Sequence, residues 1–327
     1  MVTLRKFKTL VDLFAYFKDE QVCRDYLEAI RWPAALQCPY KECKHDKVFK
    51  FSNGKVYKCA KCRRQYSVRV GTIFEDSKIG LQKWFAAVYL ITSHKKGISS
   101  LQLHRDLGVT QKTAWYMLHR VRHTLGLNNG DEKLTGTVEA DETAMGGSEY
   151  NKHRNKRTEG NQGRSIKTRT AVAGVVQRGG ELRAKVVADT SGQNLRQFLF
   201  QNVAIGSQLH TDEWYGYRGL ESIFKHSTVT HRSQRYVIGD CHTNTLEGFW
   251  SLLKRGVDGI YHSVSSKHIQ KYLDEFIFRY NTRKMNEANR FDTMLNNIAV
   301  TLPYHDLIKK PTTVITQQPQ PIQLNLL

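Results

Sequence analysis

Four cysteines within 25 residues constrain this chain more than any other feature of its sequence. Cys38 and Cys43 are followed by fifteen residues and then by Cys59 and Cys62. Two short cysteine pairs that face each other across a hairpin supply the four ligands of a tetrahedral Zn²⁺ ion. Because this segment holds few apolar residues, it would not fold readily without the metal. We therefore predict a structural zinc ribbon, in which His45 is the alternative ligand to Cys43.

The positive charge of the chain predicts a polyanionic partner. Among 327 residues, 50 Lys and Arg stand against 30 Asp and Glu, for a net charge of +20. Residues 1–130 hold 24 of the basic and 10 of the acidic residues, and so carry +14 of this surplus. Lysines and arginines are dense around the ribbon, between Lys41 and Arg64. This concentration favours contacts with the phosphates of DNA.

Hydrophobic periodicity divides the chain into segments. Apolar spacings of three and four residues predict helices before Trp32 and from Leu81 to Leu127, with breaks at Lys96–Gly97 and Gly108. After Thr137, strands alternate with helices, which predicts a covered α/β or α+β sheet. The predicted strands are Thr137–Asp141, Thr168–Gln177, Leu182–Asp189, Gln208–Asp212 and Ser227–His231, and the predicted helices are Asn194–Val203, Trp214–Ile223, Thr243–Lys254 and Lys267–Asn281. The predicted units are a helical segment (1–33), the ribbon (34–75), a helical region (76–130), the sheet domain (135–305) and a disordered tail (306–327).

The segment from Ile98 to Val121 has the pattern of a helix-turn-helix. Two helices meet at Gly108, and Thr110 is a suitable N-cap for the second. An ordinary helical hairpin has the same pattern, but the neighbouring basic ribbon favours a DNA-binding role. The residues predicted to contact DNA are Gln111, Lys112, Trp115, His119 and Arg122.

Three acidic residues occupy positions that suit metal binding. Asp141 and Asp212 each end a strand, and Glu247 lies on a helix whose other side is apolar. Taken singly, such residues are more often solvated surface groups. Together, carboxylates at strand ends beside a helix carboxylate can hold two divalent ions about 4 Å apart, an arrangement that cleaves phosphodiesters. Oxygen ligands of this kind suit Mg²⁺.

Three longer motifs extend this pattern. They are Val138–Glu142 with Gly146 and Gly147, His210–Tyr217, and His242–Gly256. Together with Tyr280–Arg283 and the N-terminal ribbon, they resemble the ISXO-type DDE transposases of bacterial insertion sequences. The resemblance implies a multidomain α/β protein, in which a zinc ribbon and a helix-turn-helix-like region precede an RNase H-like domain of mixed sheet with flanking helices.

The resemblance also implies an activity and its residues. It implies a transposase that binds the ends of an insertion sequence, hydrolyses the end phosphodiester and joins the freed 3′-hydroxyl to target DNA. Asp141, Asp212 and Glu247 would hold Mg²⁺ or Mn²⁺, with two ions expected. Lys254 would contact DNA near the cleaved phosphate. Asn244, one turn before Glu247, is a possible additional or alternative ligand.

Several expectations accompany this interpretation. A basic loop containing Arg154, Lys156 and Arg157 is expected to order on DNA. Glu139 and His210 share faces with the strand carboxylates and are candidates for outer-shell groups. We expect a homodimer or larger assembly on DNA, in the bacterial cytoplasm with the nucleoid, with no membrane span and no small-molecule cofactor.

Two other functions stay open. A zinc-containing transcription regulator would need the ribbon and the helix-turn-helix but not the three acids. A metal-dependent nuclease would need the acids but would not transfer strands.

Overall fold

The protein is described by a computed structural model over residues 7–127, 130, 132–146, 153–157, 169–229 and 241–309. Helices and a three-stranded ribbon come first, and a five-stranded sheet with its helices follows. The helices are α1 (Leu10–Tyr16), α2 (Glu20–Arg31), α3 (Leu81–Ser93), α4 (Ser100–Leu107), α5 (Gln111–Leu125), α6 (Gly192–Asn202), α7 (Asn244–Gly256), α8 (Ile269–Asn281), α9 (Glu287–Leu295) and α10 (Tyr304–Ile308). The strands are β1 (Val48–Lys50), β2 (Tyr57–Cys59), β3 (Gln65–Tyr66), β4 (Thr137–Met145), β5 (Thr170–Gln177), β6 (Leu182–Val186), β7 (Gln208–Asp212) and β8 (Lys225–Val229).

The first predicted helix is two helices, because two side chains cap separate starts. Thr9 Oγ1 accepts a hydrogen bond from Asp12 N, and the Asp12 carboxylate accepts one from Thr9 N. Asp19 Oδ1 accepts from Val22 N at 2.9 Å and begins α2. Each cap satisfies backbone donors that the first turn of a helix leaves unpaired.

The predicted breaks in the second helical region are confirmed. Gly108 ends α4 in the left-handed conformation, with φ of 59°, and Thr110 Oγ1 accepts from Thr113 N to begin α5. Glycine adopts this backbone conformation at little steric cost, which explains the sharp turn between the two helices.

The five-stranded sheet has the order β6-β5-β4-β7-β8. β4, β7 and β8 run parallel, whereas β5 is antiparallel to β4 and β6. Helix α6 covers one face of the sheet, and α7 and α8 cover the other. This order and these directions are those of an RNase H-like sheet, so the predicted fold class is confirmed. Within the described residues, no helix has the length and apolar character needed to cross a membrane.

One predicted helix, Trp214–Ile223, is wrong. Only a 3₁₀ turn forms there, at Tyr215–Tyr217. A side chain at Gly192 would lie 3.2 Å from the carbonyl oxygen of Gly216, and Gly219 has φ of 77°. The backbones therefore approach too closely, and the chain turns too sharply, for the apolar spacing to be realised as a helix.

Helix α9 belongs to the N-terminal core, although the sequence assigns it to the sheet domain 135–305. Phe291 is fully buried, and its ring centroid lies 5.3 Å from that of Phe7 and 5.6 Å from that of Phe85. α10 occupies the start of the predicted disordered tail, and the rest of that tail, residues 310–327, lies outside the described residues.

Because Phe291 packs among N-terminal aromatic rings, we expect Phe291→Ala to destabilise the N-terminal core to which α9 belongs. Truncating a buried phenylalanine typically lowers the free energy of unfolding by about 3–5 kcal/mol. Urea denaturation followed by tryptophan fluorescence and circular dichroism measures this change. Phe14→Ala, at a position 36% exposed, is the control and should cost much less. Equal losses for the two variants would contradict the assignment of α9 to this core.

Candidate metal and DNA sites

The four cysteines of the ribbon meet in one cluster. Their Sγ atoms all lie within 4.8 Å of one another. The Cys38–Cys62 sulfur distance is 3.7 Å and the Cys43–Cys59 distance is 3.6 Å. A tetrahedral ion with Zn–S bonds of about 2.3 Å requires sulfur separations of about 3.8 Å. The cluster therefore fits zinc with Cys43 as the fourth ligand, and His45 is not part of it.

A second group, here called the acidic cluster, consists of Asp141, Glu142 and Asp212. Their carboxylate oxygens lie within 4.8 Å of one another. The parallel register pairs Glu139 with His210, and continuing it places Asp141 level with Asp212. β4 then runs on to Met145, so Asp141 lies in the middle of its strand and the predicted strand end at Asp141 is wrong, whereas Asp212 does end β7.

Glu142 is a member of this cluster that the sequence reasoning missed. Strand alternation places it on the opposite face of β4 from Asp141. Its carboxylate nevertheless reaches the cluster, where it accepts a hydrogen bond from the Tyr217 hydroxyl at 2.7 Å. The signal that could have found it is its position beside Asp141 in the motif Val138–Glu142.

Each of the two aspartates accepts a hydrogen bond from a tryptophan, one from a side chain and the other from a backbone amide. Trp250 Nε1 donates to Asp141 Oδ2 at 3.0 Å, and Trp214 N donates to Asp212 Oδ1 at 3.0 Å. Gly174 pairs with Asp141 across the sheet, and a Cβ there would lie 2.6 Å from the Trp250 indole. Glycine at this position therefore makes room for the indole that orients Asp141.

Crowding of the carboxylates opposes their ionisation. Burial, and then the charges of Glu142 and Asp212, raise the pKa of Asp141 to about 8. Burial raises the pKa of Glu142 to about 7, although its hydrogen bond from Tyr217 works in the opposite direction. A divalent cation would neutralise this repulsion, and three carboxylates so close together supply the oxygen ligands that Mg²⁺ prefers. The acidic cluster therefore fits a hard divalent ion.

Helix α7 carries the other predicted catalytic residues on its exposed side. Asn244, Glu247 and Lys254 are all exposed. Glu247 Oε1 accepts from Thr243 Oγ1 at 2.9 Å, and Glu247 lies outside the group of oxygens within 4.8 Å. Its charge nevertheless contributes to the raised pKa of Asp141, so it acts on the acidic cluster from α7.

A buried carboxylate, Glu139, attaches the start of α7 to the sheet. It is 0% exposed and accepts hydrogen bonds from Thr245 N at 2.9 Å and Leu246 N at 3.2 Å. Arg178 Nε donates to it at 2.9 Å, and Arg178 Nη2 lies 3.1 Å from His210 Nδ1. Glu139 therefore caps α7 and positions the helix that bears Glu247.

The structure corrects two of the residues predicted to contact DNA. His119 and Arg122 are 0% and 1% exposed, because α5 is enclosed by α4 and α8. Arg122 Nε pairs with Glu275 Oε2 at 2.5 Å, so its charge is already satisfied. Trp115 is half-buried against the rings of His119 and His268. Gln111 and Lys112, at the start of α5, are exposed.

The predicted basic loop is described only in part. Arg154 and Arg157 are exposed at a short 3₁₀ turn, Arg154–Lys156. The side chain of Lys156, and residues 147–152 and 158–168, lie outside the described residues.

The fold and the two clusters define a zinc-ribbon protein whose RNase H-like sheet gathers carboxylates on two neighbouring parallel strands. Comparison with known families agrees with this description. Residues 133–281 match the ISXO2-like transposase domain, and residues 18–65 match the transposase zinc-ribbon domain. The chain thus carries an ISXO2-like transposase domain behind a transposase zinc ribbon, and the resemblance recognised in its motifs is confirmed.

One relative and one solved structure can also be compared with this chain. A relative described as an uncharacterized protein in transposable element ISH50 of Halobacterium salinarum is 28% identical over 275 residues, covering 80% of this chain and 91% of the relative. Among solved structures, a pre-cleavage Mos1 transpososome matches with a TM-score of 0.24 and 12% identity, covering 67% of this chain and 80% of that chain. This structural likeness is too low to bear on the fold.

We expect zinc removal to unfold the ribbon. Structural zinc sites supply folding free energy directly, so a strong chelator should abolish the ordered structure of residues 34–75. Elemental analysis should find one zinc per chain in the native protein, and Cys62→Ser should lose it. Cys241→Ser, a thiol outside the cluster, is the matched control and should retain zinc. Full zinc content in Cys62→Ser would contradict the four-cysteine site.

Metal binding at the acidic cluster should depend on pH in a defined direction. The folded protein holds protons on Asp141 and Glu142 at pKa values of about 8 and 7, against ordinary values of 3.8 and 4.5. Their contribution to stability is therefore fully present below pH 3.8 and is lost as the pH rises through 7 and 8. A divalent ion relieves this loss, so saturating Mn²⁺ should raise Tm by about 5 °C at high pH and by much less in mild acid.

Differential scanning calorimetry at the two pH values measures this effect. Asp212→Asn should abolish the Mn²⁺-dependent part of the shift, which separates the acidic cluster from the cysteine cluster. A shift of equal size in acid and in base would show that these carboxylates do not bind the ion.

Proposed function

We propose that this protein is a DNA transposase that binds insertion-sequence ends, hydrolyses the end phosphodiester and joins the freed 3′-hydroxyl to target DNA. The observation that carries the proposal is the acidic cluster in an ISXO2-like transposase domain, on the neighbouring strands β4 and β7 beside α7. In the first step, water adds to phosphorus and the bond to the 3′-oxygen breaks. In the second, that 3′-hydroxyl attacks a target phosphodiester and displaces one of its oxygens.

The residues proposed to hold Mg²⁺ or Mn²⁺ are Asp141 and Asp212, with Glu247 from α7 and Glu142 as an additional carboxylate. A divalent ion in such a site lowers the pKa of a bound hydroxyl and neutralises charge that develops on the phosphoryl oxygens. Trp250 and Trp214 orient the two aspartates, and Glu139 positions α7. Asn244, exposed one turn before Glu247, is the alternative third ligand.

Two basic side chains at the ends of β4 and α7 support a path for DNA. Lys254 and Arg169 line a cavity of about 380 Å³ between the end of β4 and the end of α7. Lys254 is exposed and follows Glu247 by two turns of the same helix. A cation there would pair with phosphates on either side of the cleaved bond, which supports a role for Lys254 in placing the scissile strand.

The remaining basic surface is proposed to bind the element ends. The ribbon lysines, together with Gln111 and Lys112 on α5 and the Arg154–Arg157 turn, supply groups that suit a phosphate backbone. Joining two ends requires two catalytic sites, so we propose a dimer or larger assembly on DNA. A DNA substrate in a bacterial host places the protein in the cytoplasm with the nucleoid.

A strand-transfer assay tests the proposal. Purified protein is incubated with labelled DNA from the ends of its element, a plasmid target and Mg²⁺, and joined products are resolved on gels. We expect Asp141→Asn, Asp212→Asn and Glu247→Gln each to reduce joining by more than about 100-fold, because even groups that only support metal ligands contribute 10- to 100-fold. Glu213→Gln, an exposed acid beside Asp212, is the matched control and should remain active.

Each other outcome points to a different function. Cleavage without joining would favour a nuclease, and binding without cleavage would favour a zinc-containing transcription regulator. Loss of joining in Asn244→Ala but not in Glu247→Gln would transfer the third ligand to Asn244.

A further inference from the structure

The ribbon presents two aromatic rings to solvent. Phe49 and Phe51 are 56% and 41% exposed, whereas phenylalanine side chains are more often buried. Phe49 lies in β1, and the ladder continues beyond that strand because Phe51 N donates to Val56 O at 2.9 Å. Since alternate residues of a strand share a face, both rings lie on the same side of the sheet. We call this side the outer face of the ribbon.

The opposite side of the ribbon is fully used. Tyr57 is buried, its hydroxyl donates to the carboxylate of Glu28 on α2, and Trp32 packs 5.6 Å from its ring. Lys50 Nζ also reaches Glu28, at 2.8 Å. Packing on α2 therefore accounts for the inner face, whereas the two rings on the outer face stay exposed within the part of the chain that the structure describes.

Polar and charged residues accompany the two rings on the outer face. The register pairs Phe49 with Lys58, and Lys58 with Gln65, so these three residues form one row across the three strands. Lys47 precedes Phe49 by two positions and is exposed. Aromatic rings flanked by lysines are the chemistry of surfaces that stack nucleobases while lysines neutralise the backbone. A protein partner could also cover the two rings. The amide of Gln65 in the same row favours a nucleobase, because its donor and acceptor suit the polar edge of a base.

The backbone spacing of Phe49 and Phe51 fits a base. Residues i and i+2 of a strand are about 7 Å apart, since the rise is about 3.3 Å per residue. Stacked bases are separated by about 3.4 Å. Two rings at this spacing can therefore hold one base plane between them.

From these observations we propose that the outer face of the ribbon binds an unstacked base of the element-end DNA, with Phe49 and Phe51 as the stacking residues and Lys58 on the adjacent phosphate. The inference rests on the proposed function for the identity of the DNA. It assigns to the ribbon a contact with bases in addition to its contacts with phosphates.

Binding titrations at several salt concentrations separate these two kinds of contact. Phe49→Ala and Phe51→Ala should each raise Kd by about 5- to 100-fold while leaving the slope of log K against log salt unchanged. Lys58→Gln should instead reduce that slope by about 0.7–0.9. Phe14→Ala, an exposed phenylalanine on α1, is the matched control and should bind as the wild type does. Zinc content and circular dichroism verify that each variant is folded, and Phe49→Tyr should keep most of the affinity.

Abasic substitutions locate the base. At the contacted position, removing the base and introducing Phe49→Ala should be non-additive, whereas elsewhere the two losses should add. Testing the same end as a duplex and as a single strand shows whether the base is unstacked by the protein or already free.

Wild-type Kd values for Phe49→Ala and Phe51→Ala would overturn the inference. A fall in the sedimentation coefficient of those variants would also overturn it, because it would assign the outer face to contacts between protein chains. A change in the salt slope of the phenylalanine variants would also overturn it, because it would indicate lost phosphate contacts. Strand transfer by the wild-type protein is measured on the same DNA. If it fails, the proposed function fails, whatever the affinities show.

Discussion

The structure of the site depends on one buried carboxylate, Glu139. It is fully buried, and a carboxylate in such a position is tolerated only when several donors surround it. Here the donors are the first amides of α7 and the guanidinium of Arg178. Because Glu139 lies two residues before Asp141 on β4, a single strand both supplies a carboxylate to the acidic cluster and holds the helix that bears Glu247. The distance between strand and helix is thereby set independently of any metal.

A buried ion-pair network joins the N-terminal helices to the sheet domain. Arg122 on α5 and Arg279 both pair with Glu275 on α8, and all three are buried. Such a network adds little net stability over apolar packing, but removing one partner typically costs about 3–5 kcal/mol. Helix α5, which has a helix-turn-helix pattern, is consequently held against the sheet domain. Its exposed start, with Gln111 and Lys112, remains available, while its middle serves as an internal support.

Much of the fold could be predicted because local chemistry specifies it. The capping threonine at Thr110, the helix break at Gly108 and the β7 strand Gln208–Asp212 were predicted with their boundaries nearly as observed. The failures have a common cause. The apolar spacing at Trp214–Ile223 resembles a helix, and α9 looks like part of the domain it follows, but long-range packing decides both. Hydrophobic periodicity reports which residues are buried, not which partner buries them.

The same distinction holds for the site. The cysteine spacing and the position of Asp212 at the end of β7 could be predicted from the sequence, because metal ligands need particular atoms at short separations and β-strand geometry follows from alternation. Asp141 was also predicted to end a strand, but β4 continues to Met145. The burial of His119 and Arg122, the entry of Glu142 into the acidic cluster and the capping of α7 by Glu139 came from the folded arrangement. Each depends on residues far apart in sequence, on the close approach of α5 to α8, of β4 to Tyr217 and of β4 to α7. Local patterns carry no information about such contacts, because a side chain's exposure and its pKa are set by whichever element packs against it.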